Sequence, residues 1–188
     1  MARQIWKPGN MLYPLPAVMV STADTKGEDN IITVAWTGTV CSDPAMLYIS
    51  VRPERYSHHL LLDSGEFVVN LTTEQLAEAT DWCGVRSGKD VDKWKEMGLT
   101  RGKAEKLSFA PVIKESPVNI ECKVTEVKKL GSHDMFLAEV LGVQVDEAYM
   151  QENGKFELNK TGLVAYSHGE YFTLGKELGR FGFSVKKK

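Results

Sequence analysis

The chain has 188 residues, 43% hydrophobic and 26% charged, which is enough for one domain with a sizeable core. A net charge of −2 and a pI near 6.1 argue against the basic footprint of a nucleic-acid binder. No run approaches the roughly 18 apolar residues of a membrane span, and the start through Pro8 lacks the apolar stretch of a signal peptide. Neither nucleic acid nor a membrane is therefore expected as a partner. Cys41, Cys83 and Cys122, at irregular spacing, suit a reducing cytoplasm better than a disulfide framework.

The lead-in, punctuated by Pro8, Gly9, Pro14 and Pro16, reads as irregular. Ala17 to Ala23 predicts a short apolar strand, and Asp24 to Asp29 a polar turn. From Asn30 a strand runs into small residues and hydroxyls at Ala35, Trp36, Thr37, Gly38 and Thr39. Ser42-Asp43-Pro44 turns the chain back into a second strand, Met46 to Val51. The corner Arg52-Pro53-Glu54-Arg55-Tyr56-Ser57 then opens a helix. Two arginines and a serine at such a point make a seat for phosphate, because first-turn N–H groups are free and guanidinium forks match phosphate oxygens. Small residues on the neighbouring strand let a flat ring lie against the backbone. The same pattern also describes an ordinary strand-turn-strand-helix with surface arginines.

Glu66 to Leu71 is another strand, with Phe67, Val69 and Leu71 on one face. Thr72 and Gln75 have the spacing of a capping box for a helix on which Leu76, Thr80 and Cys83 share a face and which Gly84 ends. A polar loop, Arg86 to Asp90, precedes a short helix from Val91 to Met97 that Gly98 closes. Residues 99–116 are loop-like, with an apolar piece at Leu107 to Ile113. In Val118 to Val124 the alternation predicts one buried and one wet face. His133 to Val145 is apolar on both faces, so cover is expected on each side. Leu163 to Tyr166 and Tyr171 to Leu174 are the last strands, and Lys186 to Lys188 a solvated tail. The mixture predicts a closed or nearly closed antiparallel barrel with three or four helices.

Common nucleotide fingerprints are missing. In Gly84-Val85-Arg86-Ser87-Gly88-Lys89-Asp90 only three residues separate the glycines, and Asp90 stands where a P-loop needs Ser or Thr. Gly175, Gly179 and Gly182 do not form a dinucleotide-binding turn. His58 and His59 are adjacent and diverge on either a helix or a strand, so no metal site is expected from them. Cys83 reads as a buried thiol rather than as a nucleophile paired with His133 or His168.

Taken in order, the SDP turn, RPERYS corner, EFVVN strand, DWCGVRSGKDVDKW, SPVNIECKV, GSHDMFLAEV and the closing HGEYFTLGKELGRFGFSVKK resemble the flavin reductase-like proteins. Within that family they are most similar to the flavoredoxin-like branch. The resemblance extends from about Pro14 to Lys186 and implies a mainly β fold. That fold is a six-stranded antiparallel Greek-key split β-barrel, the FMN-binding split barrel, with peripheral α-helices. It further implies a homodimer with one FMN per subunit near the interface. Carried over by position, Ala35, Trp36, Thr37, Gly38 and Thr39 would line the flavin ring. Arg52, Arg55 and Ser57 would hold the phosphate, with Tyr56 beside them. Asn70 would sit close to the flavin, and Ser87, Gly88 and Lys89 with Lys93 would close over it. His133 would act in catalysis near the ring or nicotinamide, and His168 and Tyr171 would lie near the site.

For Lys89 and Lys93 a solvated helix face stays open as the alternative, for His133 a surface position, and for Trp36 a place in the core. The function expected is a redox protein passing electrons from NAD(P)H or a protein donor through bound FMN to a small-molecule or protein acceptor. The alternative is a flavoredoxin-type carrier that makes no direct use of NAD(P)H. A split-barrel protein without flavin is a third reading.

Overall fold

Strands whose alternate side chains are apolar have one face to bury, and this sheet buries it by curling on itself. The computed structural model describes residues 1–185. Its strands begin with β1 (Leu15–Pro16), β2 (Val18–Ala23), β3 (Asp29–Val34), β4 (Thr37–Ser42), β5 (Ala45–Val51) and β6 (Glu66–Leu71). They continue with β7 (Arg101–Gly102), β8 (Val112–Ile113), β9 (Val118–Lys129), β10 (Asp134–Val145), β11 (Val164–Ser167) and β12 (Glu170–Thr173). The helices are α1 (Ser57–Ser64), α2 (Ala77–Val85) and α3 (Lys93–Glu96).

Seven strands form the main antiparallel sheet, in the order β3-β2-β6-β9-β10-β5-β4. Its edge strands, β3 and β4, are consecutive in the chain and joined only by Ala35 and Trp36. There Thr37 N donates to Ala35 O at 3.0 Å and Ser50 N to Trp36 O at 2.8 Å, with β3 lying against β5. This two-residue seam makes the sheet a barrel. Inside it Phe67, Phe136, Ile49, Val20 and Leu61 of α1 are buried together, each worth about 1.5–3 kcal/mol of transfer free energy. A second cluster, with Met19, Ile31, Cys83 and Trp94, packs α2 and α3 against the outer side of β2 and β3. β1, β11 and β12 form a separate three-stranded sheet, and β7 pairs with β8.

The mainly β split-barrel architecture is as the resemblance implies. The main sheet counts seven strands rather than six, because the run expected as one strand from Asn30 to Thr39 breaks at the seam into β3 and β4. The capping box does not form. Thr72 Oγ1 accepts from the Thr80 hydroxyl instead, and a 3-10 turn at Glu74–Leu76 leads into α2. Gly84 lies within α2, one residue before its end, where a Cβ would come within 3.1 Å of Thr33. The helix expected over Val91 to Met97 is four residues long, started by Asp92, whose carboxylate accepts from Trp94 N and Lys95 N.

Two faces differ from expectation. The polar face of β9 is buried, because residues 103–113 fold over Asn119 and Glu121. Glu121 accepts from Glu105 N at 3.1 Å, from Lys106 N at 2.6 Å and from Gln144 Nε2 at 2.8 Å. The far half of β10 has less cover than its composition suggests, and Leu141 and Val143 are exposed within the chain. The expected lysine tail lies outside the described residues. Among the described residues no helix is long and apolar enough to cross a membrane.

Candidate functional site

The seam, the Arg52–Ser57 corner and the C-terminal part of α2 surround one polar cleft. At its broad end is a cavity of about 460 Å³ lined by Ala35, Trp36, Arg52, Arg55, His133 and Tyr171, among others. Beyond Arg52, Arg55 and Gly84, which line both, it continues into a cavity of about 320 Å³ bounded by Ser57, Ser87, Gly88 and Lys93. Both volumes fall within the range of small-molecule pockets.

The narrow end is built for an anion. No side chain caps the first turn of α1 and no acidic residue occupies it, so its N–H groups and dipole favour negative charge. Arg55 Nη1 reaches the carbonyl of Gly84 at 3.4 Å and forms no ion pair among the described residues. Arg52 is half-exposed and loosely paired with Glu54 at 3.5 Å. Ser57 is fully buried, and its Oγ accepts from Asn30 Nδ2 at 2.9 Å, which leaves the hydroxyl proton free to donate elsewhere. Gly88 is needed for this arrangement, because a Cβ there would meet Asn30 Oδ1 at 2.3 Å. Tyr56 stands beside the corner, with its hydroxyl on Glu28 and its ring edge-to-face with His59.

Lys93 is buried and donates to Ile31 O at 2.7 Å and Cys83 O at 2.6 Å, tying α2 to β3. Burial pulls its pKa down to about 8. Cys83, whose thiol burial pushes up to about 11, is inert as a nucleophile. Lys89 faces a neighbouring hollow with Asp90 and Arg101 rather than this cleft.

The broad end has aromatic walls. Trp36 forms part of it, as do Tyr166 and Tyr171, whose rings meet edge-on at 5.5 Å. Tyr171 donates to Asp81 at 3.2 Å, and burial followed by that carboxylate raises its pKa to about 12, so it stays a neutral donor. His133 faces this cavity, with Nδ1 engaged by Ser132 Oγ at 2.9 Å. Burial and then Arg52 lower its pKa, leaving the imidazole neutral at pH 7.

The structure therefore brings together Ala35, Trp36, Arg52, Arg55, Tyr56, Ser57, Ser87, Gly88, Lys93 and His133. It sets others apart. Thr37 donates to Tyr48 O, Gly38 packs against the Tyr48 ring, and Thr39 is exposed, with none of the three lining the cleft. Asn70 does not line the cleft; it points to the outer side of β6, where Met19 O, Ser21 Oγ, Ile113 N and Asn119 Nδ2 use its amide fully. His168 sits in the β11–β12 turn at φ 54°, against Tyr13. Sequence reasoning missed Asn30, Asp81 and Tyr166. Only Asn30 carried a signal, a polar residue opening an apolar strand.

Known proteins align with this chain over most of its length. The model for the flavin reductase like domain matches residues 11–175. An uncharacterized protein of Archaeoglobus fulgidus is 31% identical over 162 residues, covering 86% of this chain and 89% of its own. Flavoredoxin of Desulfovibrio vulgaris (Miyazaki F) superposes with a TM-score of 0.89 at 28% identity, over 98% of this chain and 100% of its own. A Shewanella frigidimarina protein described as a flavin reductase with a split barrel domain gives 0.79 at 25% identity, over 89% and 85%. By fold, by sequence match and by the order of its motifs, the chain belongs to the family of proteins with a flavin reductase like domain.

Proposed function

We propose that this protein holds FMN in the cleft and works as a redox protein. One observation carries the reading. An uncapped helix start with two arginines and a buried serine lies at the narrow end of a cleft whose broad end has Trp36, Tyr166 and Tyr171 as walls. That donor set fits a phosphorylated flavin, anionic at one end and flat and aromatic at the other. Arg52, Arg55 and Ser57 would hold the phosphate, Ser87 and Gly88 would bound its pocket, and Ala35 and Trp36 would flank the ring. FMN bound there supplies hydride and single-electron exchange. Lys93 adds positive charge at the phosphate end, and Tyr171 and neutral His133 offer hydrogen-bonding groups at the ring end.

Electrons would enter from NAD(P)H or a protein donor, making the protein a flavin reductase-like oxidoreductase. The full-length likeness to a flavoredoxin favours a second reading, a carrier that exchanges electrons with protein partners and does not use NAD(P)H. Anaerobic titration separates the two. The reductase reading expects bleaching of the bound flavin by NADH or NADPH alone. Bleaching only by dithionite or a reduced ferredoxin-type donor supports the carrier, and protein that comes through desalting and FMN reconstitution colourless sinks both. A homodimer would cover exposed Leu141 and Val143 of β10 and Met11 and Leu12 of the lead-in. Light scattering at twice the chain mass is the expected result. The three free cysteines fit a reducing, cytoplasmic setting.

A further inference from the structure

We infer that the buried pair His58–Asp134 is a positioning device for the anion seat, an inference that rests on the FMN reading. His58 is the second residue of α1 and Asp134 the first of β10. His58 Nε2 and Asp134 Oδ2 are 2.9 Å apart, with side chains only 10% and 8% exposed. The imidazole also meets Phe136 edge-on at 5.4 Å. A buried polar pair of this kind is a poor source of stability, since apolar residues of similar volume serve as well or better. What it does supply is a fixed direction between two elements.

Those two elements carry the two ends of the cleft. On the α1 side, His58 N donates to Arg55 O at 2.9 Å and Arg55 N to Arg52 O at 3.0 Å, so the corner with both arginines hangs from the same turn. On the β10 side, Asp134 directly follows His133, which lines the broad cavity. Ser57, next to His58, is held from another direction by Asn30 of β3. The start of α1 is thus pinned twice, by β3 through Asn30 and by β10 through Asp134. Loss of the second pin loosens the corner that carries Arg55, beyond the β5–β10 ladder that holds Val51 opposite Asp134, while the aromatic walls stay in place.

The test compares FMN with riboflavin, which lacks the phosphate, by fluorescence-quenching titration. Three variants are used. In His58→Phe/Asp134→Leu both partners are gone and no buried carboxylate is orphaned. Asp134→Asn keeps an acceptor for His58. Arg55→Ala/Ser57→Ala removes the seat itself.

The expected result for the first is FMN bound at least about ten-fold more weakly, with riboflavin affinity within about two-fold of the parent, while Asp134→Asn retains FMN. Equal weakening of both ligands, or parental FMN affinity, overturns the inference. Should that variant not fold, NMR of the unaltered protein decides. The His58 ring nitrogens are expected to shift on adding FMN and not on adding riboflavin, and identical responses overturn the idea. If Arg55→Ala/Ser57→Ala binds FMN like the parent, the phosphate reading itself fails. If it loses FMN selectively and the pair variant does not, only the positioning role falls.

Discussion

Two polar regions flank the barrel sheet, and they are finished in different ways. Behind β6 and β9, Glu66, Asn70, Asn119 and Glu121 are buried, and each bonds to the chain folded over it. On the cleft side Arg52 and Arg55 are exposed, Ser57 keeps a donor to spare, and α1 starts without a cap. A region whose hydrogen bonds close within the molecule is structure. A region of like charge whose donors point at open volume has capacity left over for a ligand.

The largest effect separates the regions from the structural side. Glu121→Ala strands two backbone N–H groups and the Gln144 amide, and should cost about 4 kcal/mol and lower the melting temperature by about 10 °C. FMN affinity of the folded protein should not change, and a matching loss of affinity would break the division. The converse is Arg55→Ala/Ser57→Ala, expected to weaken FMN about 100-fold by titration, since hydrogen bonds to a charged group are worth about 1.5–3 kcal/mol each. The melting temperature without ligand should fall by about 2–6 °C, less than for Glu121→Ala, because the buried Asn30 amide loses its Ser57 acceptor.

Gly88→Ala tests the boundary. Its new methyl must displace Asn30 from Ser57, so calorimetry should register about 1–2 kcal/mol of overpacking, with FMN bound about ten-fold more weakly. Smallest is the effect of pH. With its pKa lowered to about 8, Lys93 is an ammonium below that value and loses its charge as pH rises through it. FMN affinity should fall about five-fold between pH 7 and pH 9, with no such slope for riboflavin. A flat FMN profile would remove Lys93 from the phosphate end.

Local signals fixed much of this in advance. Strand periods, the Ser42-Asp43-Pro44 turn and the Arg52–Ser57 corner are short-range patterns, and the corner does lie at the cleft. Other features depend on distant chain. The resemblance implied a place near the flavin for Asn70, and alternation a wet face for Glu121; nothing in their own strands shows that residues 103–113 will cover them. Thr37 to Thr39 looked like a ring platform because the break after Trp36 is made by Ser50, fourteen positions along. Gly88 was expected, with Ser87 and Lys89, to close over the flavin; in the fold its bare backbone admits Asn30 from β3, a contact no spacing rule reveals.

The Ala35–Trp36 link has a mechanical consequence. It is the direct covalent bridge between the sheet's two edge strands, β3 and β4, and it also forms a wall of the cleft. A guest pressed against that bridge would act as a clasp on the whole cylinder. Amide exchange at Val34 and Thr37 should therefore slow more on loading than exchange at Val68, far round the circumference, and the cofactor would serve as the barrel's fastening as well as its working part.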